Sequence, residues 1–194
     1  MKIEEVYSIL PEDGETLLKI AREAVEETVK RVKVPEVRRI DPSLRRHAGV
    51  FVTINANGEL RGCIGFVQAI YPLYVGTQKA AVYAATEDPR FPPVTEPELA
   101  GLEYEVTVLS DTEEIRINEK TNLDVLITRG SHGLEVTNGL YSGLLLPQVM
   151  EEFHLSPKEF LEQTCIKAGL GKNCWKDPNT RVYRFLGRVF PEPS

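Results

Sequence analysis

The chain has few of the residues that staple small proteins or bind metals. Its 194 residues include three cysteines (Cys63, Cys165, Cys174) and three histidines (His47, His132, His154). No pair of them has zinc-site spacing, so no metal is expected. An odd cysteine number without tight spacing, and no Asn-x-Ser/Thr acceptor, fit free thiols in a reducing, cytoplasmic setting. The first residues, Met1-Lys2-Ile3-Glu4-Glu5, lack the basic and apolar regions of a signal peptide. The longest aliphatic run, Leu144-Leu145-Leu146, is far short of the ~20 residues of a membrane span. Basic surplus is also missing: 23 Lys+Arg face 29 Asp+Glu, a net charge of −6. That argues against a protein whose main task is coating nucleic acid. The Gly-x-Ser-x-Gly elbow and the dinucleotide fingerprint are absent. Gly169-Leu170-Gly171-Lys172 fails as a phosphate loop, because Ile166 stands at the earlier glycine position and Asn173 at the Ser/Thr position. No cofactor is therefore expected.

What is present suits one globular domain over residues 1–194, with 42% hydrophobic residues. Leu17, Ile20, Ala21, Ala24, Val25, Thr28 and Val32 fall on one stripe of a helix from about 14 to 32, with Asp13 as its cap. Residues 33–47, with four arginines (Arg38, Arg39, Arg45, Arg46), read as a surface loop. A hairpin follows: a strand around Val50–Ile54, turn residues Asn55-Ala56-Asn57-Gly58, and a return strand over 59–66. Pro72 starts an alanine-rich helix, 73–86, whose small side chains predict close packing on a sheet. Thr95-Glu96-Pro97-Glu98 and Ser156-Pro157-Lys158-Glu159 are capping boxes. Residues 103–109 and 182–190 are expected strands, and 111–121 a polar loop. Asn138-Gly139 predicts a second hairpin. Helices around hairpin-linked strands, without βαβ alternation, predict an α+β fold with mainly antiparallel sheets. Two separate hairpins suggest two small sheets, with room for a cleft between two lobes.

Leu60-Arg61-Gly62-Cys63-Ile64-Gly65 carries the most chemical information. In a regular strand Arg61 and Cys63 share one face. Glycines weaken strands, so Gly62 and Gly65 imply a bulge or a close approach, or space around the thiol. Arg61 beside Cys63 would favour the thiolate and lower the thiol pKa. Cys63 then becomes a candidate nucleophile or redox thiol, the plainer alternative being a small buried hydrophobe. His132, in the turn Gly130-Ser131-His132-Gly133, is the best placed histidine for a base; the alternative is a solvated loop residue. Asp88 and Arg90, in the proline-braced Asp88-Pro89-Arg90-Phe91-Pro92-Pro93, suit orientation of a small polar ligand, or a structural turn. Glu105 shares a strand face with Glu103, as in acid/base chemistry or cross-strand charge pairing.

At these residues the chain resembles the AMMECR domain family, called AmmeMemoRadiSam system protein A in bacteria and archaea and named for a human gene deleted in a syndrome with Alport disease, midface hypoplasia and elliptocytosis. Besides Leu60–Gly65, the resemblance rests on Asp88–Val94, Glu105–Leu109, Gly143–Val149 and Thr164–Leu170, in the family's order and rough spacing, over about residues 14 to 190. It implies an α+β protein of archaeal or bacterial type with a larger and a smaller lobe and a cleft between them, the smaller expected over about 56–98, and no particular reaction. Arg61, Cys63, Asp88, Arg90 and Glu105 carry over by motif position; His132 sits where members vary. The implied partners are a Memo-type and a radical-SAM protein. Three functions follow as expectations: an enzyme acting on a small polar molecule through Cys63, a non-catalytic interaction module docking those partners, and RNA binding through the arginine loop.

Overall fold

Proline, rather than a capping side chain, starts the first helix. α1 runs Pro11–Val29, with Pro11 at its first position and Leu10 as N-cap. Asp13, expected at the cap, lies three residues inside, and its carboxylate accepts the Leu10 N–H at 3.1 Å. The helix stops at Lys30, and Arg31 turns the chain at φ +56°. The computed structural model describes residues 1–31 and 40–192. Val32 and most of the expected arginine loop, including Arg38 and Arg39, lie outside the described residues.

The chain divides into two units. Residues up to Asp111, with those from Arg188 onward, form the first, and Thr112–Gly187 the second. The segment 56–98, expected as a smaller lobe, lies wholly inside the first unit. The reason is its pairing: β2 (Glu59–Phe66) lies antiparallel to β1 (Gly49–Ala56), and α2 (Leu73–Thr86) packs on both. β1 also pairs antiparallel with β3 (Leu102–Leu109), and the order continues from β3 to β7 (Arg181–Pro191), which leaves β2 at the edge. Val50, Val52 and Ile54 of β1 alternate into the core with Tyr104, Val106 and Val108 of β3. Against them lie Leu17, Ala21 and Ala24 of α1 and Ala80, Ala81 and Ala84 of α2. Each large aliphatic side chain so buried contributes about 1.5–3 kcal/mol.

In the second unit β5 (His132–Asn138) pairs antiparallel with β6 (Tyr141–Leu145) and with β7, and β4 (Glu113–Ile115) pairs with β7. β4 falls in the stretch expected to be loop; its three residues are too few to show a period. Leu134, Val136, Ile127, Met150, Phe160 and Leu161 form the core, under α3 (Leu123–Leu126), α4 (Pro147–Glu152) and α5 (Pro157–Lys167). The antiparallel α+β class is as expected.

Two sequence expectations change here. Cys165 and Cys174 are disulfide-bonded, not free, and Cys63 alone keeps its thiol. A backbone turn brings the pair together: Gly169, at φ +77°, reverses the chain after α5, and the Leu170 N–H bonds back to the Cys165 carbonyl at 3.0 Å. The second hairpin turns on Gly139-Leu140 rather than Asn138-Gly139, because Asn138 already pairs with Tyr141. Its positive φ is at Gly139, the first of the two turn residues, whereas Asn57 and Gly58 of the first hairpin both have positive φ.

Candidate functional site

Cys63 sits where a β-bulge changes the pairing of an edge strand. Counting back from the turn, Ala56 faces Glu59 and Asn55 faces Leu60, but Ile54 faces Gly62 and Thr53 faces Cys63. The extra residue on β2 is Arg61. The strand is therefore not regular at this point, and Arg61 is left without a partner in the ladder. Gly62 faces α2, where a Cβ would overlap the Ala84 carbonyl oxygen; at Gly65 it would overlap the Phe51 ring and the Val50 carbonyl. The glycines admit neighbours rather than leave space around the thiol.

The Thr53 hydroxyl donates to Cys63 Sγ at 3.4 Å. Glu105 faces Thr53 from the other side, so Cys63, Thr53 and Glu105 form a row across three strands. All three are half-buried. At the open side of β2 the Cys63 N–H donates to Asp88 Oδ2 at 2.9 Å, and its carbonyl accepts from Arg90 Nη2 at 3.4 Å. Arg90 also grips Asp88 through Nε at 2.9 Å and Nη2 at 2.7 Å. An aspartate–arginine pair thus occupies the hydrogen-bonding groups that a further strand would take. Asp88 is 4% exposed, and the Arg90 guanidinium holds its carboxyl far below the usual carboxylate range.

Arg61 does not serve the thiol. Its Nε donates to Glu98 Oε1 at 2.8 Å and its Nη2 to Oε2 at 3.4 Å. Glu98, also bonded by the Thr95 N–H and hydroxyl, falls to a pKa of about 2, with Arg61 the main cause. Phe91 lies beneath both guanidinium groups, with ring centroid distances of 6.0 Å to Arg61 and 5.4 Å to Arg90. Burial pushes the Cys63 thiol up, and the charges of Asp88 and Glu105 add to this. The Thr53 hydroxyl and Arg90 oppose the shift without reversing it. The expected lowering by Arg61 is therefore corrected: the thiol stays protonated at neutral pH, a weak nucleophile.

His132 opens β5, in the second unit. Its Nδ1 accepts the Thr128 N–H at 2.9 Å, and burial, aided by the charge of Arg184, lowers its pKa. The ring is neutral at pH 7, with its proton on Nε2. Among the described residues no group of three or more His, Cys, Asp or Glu is placed to hold a metal ion. No helix among them is long and apolar enough to cross a membrane. Thr53, Glu98 and Phe91 were missed in the sequence. The Thr95–Glu98 capping box pointed to Glu98 as a cap, but nothing local tied it to Arg61, and the bulge hid Thr53.

Antiparallel strands flanked by helices, with an arginine-braced cysteine at a sheet edge, define the chain as an α+β protein of a recognisable kind. The AMMECR1 sequence profile matches residues 18–190, and the chain belongs to the AMMECR1 family. Protein TK0174 of Thermococcus kodakarensis is 48% identical over 193 residues, which cover 96% of this chain and 94% of that one. A protein of Methanothermobacter thermautotrophicus is 44% identical over 184 residues, covering 93% and 95%. The crystal structure of protein PH0010 from Pyrococcus horikoshii is similar at a TM-score of 0.85 and 46% identity, over 91% of this chain and 89% of that one.

Proposed function

We propose that the chain is a non-catalytic interaction module, in which Leu60–Gly65 and Asp88–Pro93 form one structural lock. The observation that carries this reading is that the charged groups nearest Cys63 bind one another or its backbone and not its sulfur. Arg61 is bound by Glu98, and Asp88 by Arg90 and the Cys63 backbone. A nucleophilic cysteine needs the opposite, a free cation or base beside the sulfur. The partners the module would dock are the Memo-type and radical-SAM proteins that the family resemblance implies.

Iodoacetamide labelling of the folded chain against pH tests the reading. Cys63 should react slowly at pH 7, with a rate rising about tenfold per pH unit and not levelling before pH 9. A plateau at or below pH 7 would sink it. Co-purification with the two partner types, retained by Cys63→Ser, is the positive counterpart.

A second reading keeps the enzyme, with Cys63 acting on a small polar molecule that Asp88, Arg90 and Glu105 orient. One observation favours it: Cys63 is the free cysteine, and it is half-buried rather than enclosed.

A further inference from the structure

We infer that the Cys165–Cys174 bond is a redox-set clasp of the second unit, opened by a dithiol reductant. Its state would determine whether the cavity beside it stands. Nothing in this depends on the interaction reading above.

The two sulfurs are unequal. Cys165 is 0% exposed within the core of the unit. Cys174 is half-buried and lines a cavity of about 430 Å³ together with Asn138, Gly171, Lys172, Asp177 and Thr180. Most of those walls belong to the segment 170–180, which carries no helix or strand beyond a single 3-10 turn, Cys174–Lys176. Leu170 and Trp175 of this segment pack against the core of the unit, and its long-range polar ties to Asn138 and Glu119 are exposed or partly so. Asn138 Nδ2 donates to Asp177 Oδ2 at 3.2 Å and to Thr180 Oγ1 at 2.9 Å, and Lys176 pairs with Glu119 at 2.8 Å. Bonds of this kind hold weakly in water. The disulfide is the covalent tether, and of its two sulfurs Cys174 is the one beside the cavity.

The exchange balances without any further reactant. A thiolate of the reductant attacks Cys174 Sγ, the S–S bond breaks, and Cys165 leaves as a thiolate that takes up a proton. The second thiol of the reductant then displaces Cys174, closing the reductant to its own disulfide. The protein gains two thiols, with the two protons and two electrons supplied by the dithiol.

The segment carries its own reporters: Lys172 and Lys176 are trypsin sites, and Trp175, the one tryptophan of the chain, adjoins Cys174. The full chain, isolated without reductant, is digested briefly before and after treatment with dithiothreitol. Cleavage sites are read by mass spectrometry, with Trp175 fluorescence in parallel. Cleavage at Lys172 and Lys176 should rise at least tenfold on reduction, while Lys158 on α5 and Lys79 on α2 hold their rates. Cys174→Ala should cleave fast in both conditions. Equal rates in the two states overturn the inference. So does a parallel rise at Lys158, which would make the bond a general staple of the unit. Three alkylatable thiols in the denatured, unreduced chain would remove the clasp altogether.

Discussion

The two hairpins of the molecule are built alike and finished differently. Each turns on two residues with glycine at a left-handed position, Gly58 in one and Gly139 in the other. Each second strand has a glycine pressed against a helix: a Cβ at Gly62 would overlap the Ala84 carbonyl of α2, and one at Gly143 the Ala168 backbone nitrogen after α5. A cysteine stands nearby in both, Cys63 beside Gly62 and Cys165 on α5. In the first hairpin polar side chains complete the backbone and the thiol is left over. In the second a covalent bond ties down the chain leaving the helix. One packing device, helix on glycine, leaves the cysteine's chemistry undetermined; the groups around each cysteine fix it.

Four measurements bear on this parallel. Gly62→Val and Gly143→Val should each lose about 3 kcal/mol or more in urea unfolding, because backbone cannot yield as a side chain does. A neutral result at either site ends the parallel. Asp88→Ala should cost about 2–3 kcal/mol, since it strands the Cys63 N–H and frees Arg90. The same carboxylate gives a sign for acid. The folded pKa of Asp88 is depressed, so its contribution is complete above the ordinary value of about 4 and is lost as pH falls toward the folded one. Glu98 acts in the same sense. Unfolding midpoints should drop below about pH 4 and drop less in Asp88→Asn; an equal drop in both would place the acid sensitivity elsewhere. Cys63→Ser should be the mildest change, under about 1 kcal/mol, with a melting temperature well above that of Gly62→Val. The reverse order would return the cysteine to the centre of the lock.

The sequence carried local signals faithfully. The turn residues Asn55-Ala56-Asn57-Gly58 and the run of small residues marked β2 and α2 to the residue, and the two capping boxes sit where the Ser or Thr and Glu spacing put them. What was not legible depended on partners distant in sequence. Arg61 looked like a partner of Cys63 because strands alternate, but its guanidinium is taken by Glu98. The pull of Glu98 on Arg61 spans 37 positions, with only a cap signal to hint at it. Cys165 and Cys174 looked unpaired because nine residues separate them, and only the reversal at Gly169 brings them together. Asp88 and Arg90 were legible as a rigid polar pair, but their bonds to the Cys63 backbone were not.

The Asp88–Arg90 pair also bears on how the protein behaves at high concentration. An edge strand with free amide and carbonyl groups invites the edge of another copy. By covering Cys63 at the middle of β2, the pair denies that template to other chains. Losing it would therefore show as concentration-dependent association and poor solubility before it showed as unfolding.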